Sequence, residues 1–148
     1  MVGNEPVADL VIQSARLHGV NIKSAMVPRM IDEFPILAVA ATQATGATRI
    51  TDAQELRVKE TDRISTVVEE LSKLGAQIKA TEDGFLVQGP TPLEGTTVSS
   101  HGDHRLAMAL CVAGMIAKGR TQIDDIDCVN DSFPGFIRLM KQLGAAYD

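Results

Sequence analysis

Gly46-Ala47-Thr48-Arg49-Ile50-Thr51-Asp52 returns further along the chain as Gly119-Arg120-Thr121-Gln122-Ile123-Asp124-Asp125, matching Gly, Thr, Ile and Asp at an offset of 73 residues. Leu74-Gly75-Ala76 likewise returns as Leu143-Gly144-Ala145 at an offset of 69. Self-similarity at a nearly fixed spacing marks a duplicated structural unit. Working outward from Gly46, residues 36–45 are Ala-rich and apolar on nearly every face, which predicts a helix buried all round. Residues 47–51 read as a strand, and Ile64, Val67, Val68, Leu71 and Leu74 give the period of an amphipathic helix that Gly75 ends. Residues 77–80 and 85–88 form a hairpin around Asp83-Gly84. The order helix, strand, helix, strand, strand then begins again with the 12-residue apolar run 106–117. The fold class is therefore α/β, with two repeated units spanning approximately 1–89 and 90–148. The second copy stops before its hairpin, which leaves a sheet edge for another segment and predicts a partial domain. Upstream, residues 9–14 and Val20 to Ile22 read as two short strands, with His18 in a turn.

Charge gathers at the predicted helix starts. Glu55 and the stretch Leu56-Arg57-Val58-Lys59-Glu60-Thr61-Asp62-Arg63 crowd cations and acids around one Thr, whereas a solvated helix face spaces opposite charges by three or four residues. Thr61 is a good N-cap type and Asp62 suits a first turn, so a helix begins near Thr61. Lys59, Glu60 and Arg63 then surround a helix N-terminus, where backbone N–H groups favour an anion; an ion-paired loop without ligand is the alternative. Asp103 would cap the second apolar helix, placing His104 and Arg105 in its first turn. A cation there opposes the helix dipole, so Arg105 needs an anion before it, either a ligand or an acid of the chain. Asp32 and Glu33 lie at the start of the first apolar helix. If the repeat stacks its helices in parallel, one end carries Lys59, Arg63 and Arg105 as anion binders beside Asp32 and Glu60 as acid–base groups. His101, Asp103 and His104 match no standard metal-binding spacing, and no metal is assigned.

Composition narrows the functions. Four Phe, one Tyr and no Trp with a net charge of -5 argue against a nucleic-acid binder. Cys111 and Cys128 form no C-x-x-C pair and read as reduced thiols in a cytoplasmic setting. The first ten residues, with Asn4, Glu5 and Asp9, do not read as a signal peptide, and the longest apolar run falls short of the ~20 residues that span a bilayer. No membrane partner is expected.

Arg57-Val58-Lys59-Glu60-Thr61-Asp62-Arg63 and Gly102-Asp103-His104-Arg105, with Asp32-Glu33-Phe34-Pro35 and Ser132-Phe133-Pro134, closely resemble the 5-enolpyruvylshikimate-3-phosphate (EPSP) synthases, over almost the whole chain but roughly the C-terminal third of such an enzyme. The resemblance implies an enolpyruvyl transferase inside-out barrel of βαβαββ units, helices inside and sheet outside, two units being present here. It implies transfer of the enolpyruvyl group of phosphoenolpyruvate to the 5-hydroxyl of shikimate 3-phosphate with release of phosphate, without a metal or organic cofactor, and a missing N-terminal domain as partner. Carried over, Asp32 would contact the shikimate hydroxyls and help remove the 5-hydroxyl proton, with Lys59 assisting. Glu60 would exchange the proton of the methylene carbon, and Arg63 and Arg105 would clamp phosphoenolpyruvate with His104 nearby. One departure is Asp131, where many members carry a Lys before the Ser/Thr-Phe-Pro motif; the local alignment slips, or Lys141 or another cation serves instead, or binding is weaker. A non-catalytic, anion-binding or assembly half is the alternative of another class. The UDP-N-acetylglucosamine enolpyruvyl transferases share that fold and chemistry, but the Lys-Glu-Thr-Asp-Arg and Asp-His-Arg segments resemble those of the shikimate enzymes.

Overall fold

A computed structural model describes residues 6–147. In chain order it contains β1 (Asn21–Ile22), α1 (Val27–Met30), α2 (Phe34–Thr42), β2 (Gly46–Ile50), a 3-10 turn (Gln54–Val58) and α3 (Arg63–Lys73). Then follow β3 (Gln77–Ala80), β4 (Phe85–Gly89), β5 (Thr97–Ser99), α4 (His104–Ile116), β6 (Gln122–Asp124), a second long 3-10 turn (Ile126–Asp131) and α5 (Phe136–Gln142), a short 3-10 turn at Ser24–Met26 having preceded α1. The sheet of the first copy runs β1-β2-β4-β3, and the second copy pairs β5 with β6.

The duplication is visible in backbone geometry. β1 pairs with β2 in parallel, and β5 pairs with β6 in parallel. Gly46 and Gly119 open β2 and the approach to β6 with φ of 95° and 94°, and Asp52 and Asp125 end them with φ of 60° each. A Cβ on Gly19 would lie 2.3 Å from the Ala47 carbonyl oxygen, and one on Gly95 would lie 2.3 Å from that of Arg120. Both positions admit only hydrogen, because neighbouring backbone passes directly over them.

Helices face inward and sheets outward. In α2, Phe34, Ala38, Val39 and Ala41 are buried; in α4, Leu106, Ala109, Leu110 and Ala113 join the same core. The alanines let the two helices pack on each other, while α2 also backs β4 and α3 backs β3. α3 forms because Ile64, Val67 and Leu71 make one buried stripe. It ends in a Schellman turn: Gly75 has φ of 91°, and Ala76 N–H reaches the Leu71 carbonyl at 2.9 Å. A smaller cluster of Ala107, Cys111, Val129 and Phe136 fastens α4 to the second long 3-10 turn and α5.

Three readings of the sequence are corrected. His18 lies not in a turn but in an isolated parallel bridge with Thr45. The α3 N-cap is Asp62 and not Thr61, since the Asp62 carboxylate accepts from Ser65 N–H at 3.2 Å. Residues 9–14 form no strand: among the described residues nothing pairs with them, and Leu10, Val11 and Ile12 are 83%, 86% and 89% exposed. An alternating pattern is only half of a strand, because its N–H and C=O groups need a partner ladder.

Candidate functional site

The loop before α3 is held by Arg57. Its guanidinium pairs with Asp62 at 2.7 Å and donates to the Glu82 and Thr81 carbonyls at 2.9 and 2.7 Å, tying the loop to the β3–β4 hairpin. Burial alone would raise the Asp62 carboxyl, but hydrogen bonds from Ser65 and Arg57 outweigh it and hold the group below its usual range. With Leu56 fully buried beneath the 3-10 turn, this loop fixes where Glu60 and Arg63 begin.

Arg63 is the centre of the cluster. It is 1% exposed, yet its guanidinium reaches three carboxylates. Nε donates to Asp103 Oδ2 at 2.7 Å, Nη2 to Glu60 Oε2 at 2.6 Å and to Asp103 Oδ1 at 3.3 Å, and Nη1 to Asp32 Oδ1 at 3.0 Å. A buried guanidinium is costly unless it is paired, and here each nitrogen has an acid. Burial would lower the Arg63 pKa, but Asp103, Asp32 and Glu60 raise it beyond its ordinary value. For Asp103, burial pushes upward while Arg63 and the Arg105 and Leu106 N–H groups pull harder downward, so it stays ionised.

Asp103 has two tasks. Its Oδ1 caps α4 by accepting from Arg105 N–H at 2.9 Å and Leu106 N–H at 3.3 Å, while Oδ2 holds Arg63. The cap turns Arg105 toward α2: Nη2 lies 3.4 Å from Asp32 Oδ2, and Nη1 lies 3.4 Å from the Asp32 carbonyl and 3.9 Å from Glu33. Asp32 therefore bridges two arginines. The anion that the sequence required before Arg105 is, in this chain, Asp32 itself.

Asp32, Glu60, Arg63 and Arg105 are thus brought together, with Asp32, Glu60 and Arg105 part-exposed above the buried Arg63–Asp103 pair. Lys59 turns instead to Glu55 at 2.9 Å. His104 lies in the first turn of α4, and its ring makes no hydrogen bond among the described residues. Asp131 closes the second long 3-10 turn and Lys141 lies near the end of α5, both exposed. Sequence reasoning assigned Asp103 only a capping role; the clue to more was an acid at the head of an all-apolar helix, forty residues from a cation. It weighed His101 only beside Asp103 and His104 and passed over Glu69 and Glu70, although the donor atoms of Glu69, Glu70 and His101 lie within 4.8 Å of one another. The Lys73 ammonium already stands between these carboxylates, at 2.7 Å from Glu70 and 3.0 Å from Glu69, and offsets part of their charge.

Asp32, Glu33, Arg105, Met108, Val112 and Phe136 line a cleft of ≈ 230 Å³ beside the cluster. The cleft offers the Arg105 guanidinium, the Asp32 and Glu33 carboxylates beside it and an apolar wall, a set suited to a small anion undergoing proton transfer. A larger hollow of ≈ 880 Å³ lies along β6 between α4 and residues 144–147, and none of Asp32, Glu60, Arg63 or Arg105 lines it. In the first copy the corresponding edge of β2 is covered by β4.

Against known proteins, the EPSP synthase (3-phosphoshikimate 1-carboxyvinyltransferase) family model matches residues 1–140. The chain is 50% identical over 143 residues to the 3-phosphoshikimate 1-carboxyvinyltransferase of Brevibacillus brevis, covering 97% of this chain and 34% of that protein. It is 51% identical over 140 residues to the enzyme of the same name from Bacillus cereus, covering 95% and 33%. Among solved structures, EPSP synthase from Acinetobacter baumannii superposes with a TM-score of 0.82 at 39% identity, over 86% of this chain and 30% of that one. An enolpyruvyl transferase from Streptomyces tendae shares the fold, with a TM-score of 0.68 at 23% identity over 88% and 28%. The chain spans about a third of the length of the curated relatives it matches. Motifs, inward-facing helices and relatives agree: this chain belongs to the EPSP synthase family.

Proposed function

We propose that this chain supplies one side of the active site of an enzyme that transfers the enolpyruvyl group of phosphoenolpyruvate to the 5-hydroxyl of shikimate 3-phosphate and releases phosphate. The supporting observation is the charge ladder Asp103–Arg63–Asp32–Arg105 with Glu60 on its flank. Arg105 and Arg63 receive the phosphoenolpyruvate anion, and His104 borders it. Glu60 gives a proton to the methylene carbon as the 5-hydroxyl oxygen attacks the adjacent carbon; Asp32, with Lys59 assisting, takes the hydroxyl proton. Glu60 then removes a proton from the new methyl group as phosphate leaves, and Asp32 passes the hydroxyl proton to the departing phosphate, so both carboxyl groups regain their starting protonation. Buried Asp103 keeps Arg63 in place throughout.

The remainder of the site comes from an N-terminal domain whose closure over the substrates completes it. The units divide near residue 89, and the working compartment is the cytoplasm. The test is phosphate release by a full-length enzyme carrying this segment, with phosphoenolpyruvate and either shikimate 3-phosphate or UDP-N-acetylglucosamine as acceptor. Turnover with the first acceptor is expected; turnover confined to the nucleotide sugar would overturn the substrate assignment.

A second reading, a non-catalytic half that binds anions or assembles with the missing part, is favoured by one observation. Every guanidinium nitrogen of Arg63 is already occupied by an acid of this chain. A ligand binds only by displacing Asp32 or Glu60, which the chain alone does at high anion concentration. Phosphate release by the isolated chain would exclude this reading.

A further inference from the structure

α3 grips the turn between β5 and α4 at two points seven residues apart on one helix face, about 10 Å along its axis. The first is Arg63 on Asp103. The second is Glu70, which is fully buried and belongs to no part of the site described above. Its Oε2 accepts from Ser99 N–H at 3.0 Å, and its Oε1 lies 2.7 Å from His101 Nε2 and 2.7 Å from Lys73 Nζ. Lys73, His101 and, through Lys73, Glu69 are the charged or titratable groups around it.

The turn it holds is the one that aims the anion-binding side chains. His101 and Gly102 both adopt left-handed backbone, with φ of 52° and 76°; for His101 this conformation costs on the order of 1 kcal/mol. The ring bond to Glu70 offsets that cost. Ser100 anchors the other side, donating through Oγ to the Asp125 carbonyl at 2.9 Å. Asp103 N–H closes the turn on the Ser100 carbonyl at 2.9 Å, and Arg105 follows two residues later. Without Glu70 the turn is held to α3 only through Asp103 and pivots there, which loosens the Arg63–Asp103 bond and carries Arg105 away from Asp32.

We propose that Glu70 is a positioning residue: through the 99–103 turn it sets Asp103, and hence Arg63 and Arg105, without touching substrate. The catalytic part of this proposal rests on the function proposed above; the mechanical part does not.

Two measurements separate them. In the ¹⁵N-labelled 148-residue chain, the Arg63 Nε–H donated to Asp103 is expected to exchange slowly with solvent. Glu70→Ala should accelerate that exchange by about tenfold or more, Glu70→Gln by much less because it retains the Ser99 bond, and Glu69→Gln not at all. In a full-length enzyme carrying the segment, Glu70→Ala should lower kcat/KM for phosphoenolpyruvate. Its effect should be non-additive with that of Arg105→Lys by about fivefold or more. Unchanged Arg63 exchange in folded Glu70→Ala overturns the proposal, and so do additive effects where Arg105→Lys by itself lowers turnover. If Glu70→Ala does not fold, His101→Phe, which leaves the Ser99 and Lys73 bonds, takes its place; faster Arg63 exchange supports the proposal and unchanged exchange overturns it. Faster exchange in an enzyme whose turnover is absent, or indifferent to Arg105→Lys, supports the mechanical coupling and overturns the functional reading instead.

Discussion

Arg63 Nε and Asp103 Oδ2 meet at 2.7 Å although forty residues separate them, and both side chains are buried. This pair joins the starts of α3 and α4, and every other charged group of the site is arranged over it.

Removing one partner should therefore be costly. Asp103→Ala leaves a buried guanidinium held only by the part-exposed Asp32 and Glu60, and removes the α4 cap. A loss of about 3–5 kcal/mol is expected from urea denaturation of the chain. A loss below about 1 kcal/mol would mean that Arg63 swings to solvent instead.

Stability should fall in acid over a defined window. Asp62, Glu70 and Asp103 all have folded-state pKa values lowered below their ordinary range by hydrogen bonds and ion pairs that outweigh burial. A depressed carboxyl group binds fewer protons in the folded than in the unfolded state. Its stabilisation is thus complete above the unfolded value near ~4 and is lost as pH falls through the folded value. Denaturation midpoints should drop steeply below pH ~4, and Asp103→Asn should flatten that slope. An unchanged slope in the variant would contradict the assignment.

The two thiols should differ in reactivity. Burial pushes the Cys111 thiol up to about 11, whereas Cys128 is only half-buried. Iodoacetamide near pH 8 is expected to alkylate Cys128 well before Cys111, since the thiolate is the nucleophile. Peptide mass spectrometry reads the order, and faster labelling of Cys111 would show that α4 opens.

The duplicated close approach gives a matched pair of variants. Gly19→Ala and Gly95→Ala each force a methyl group against a backbone carbonyl oxygen. Both should destabilise by about 1–3 kcal/mol. A neutral Gly95→Ala beside a costly Gly19→Ala would show that the second copy yields where the first does not.

The duplication was legible in the sequence because its punctuation is backbone chemistry: Gly46 and Gly119, and Asp52 and Asp125, sit where positive φ is needed. The apolar helices were legible because residues 36–45 and 106–117 leave no polar face to expose. The burial of Arg63 was not, since the neighbouring charges at 55–62 suggested partners while Asp103 lies far along the chain. Thr61 lost the N-cap for the same reason: its hydroxyl turns to Asp103 at 3.3 Å and to Thr66 at 3.2 Å, leaving Asp62 to cap. Glu70 beside Glu69 reads as a surface pair, and only the packed turn of residues 99–103 shows that one of them is buried.

The role given to Glu60 is tested most directly by phosphate release from a full-length enzyme carrying this segment, comparing the wild type with Glu60→Gln. Glutamine keeps the shape and an acceptor for Arg63 but cannot exchange a proton with the methylene carbon. Turnover should fall by about 10²–10⁴-fold with the fold intact. Near-normal turnover in Glu60→Gln would contradict the acid–base assignment and leave the cluster as an anion clamp alone.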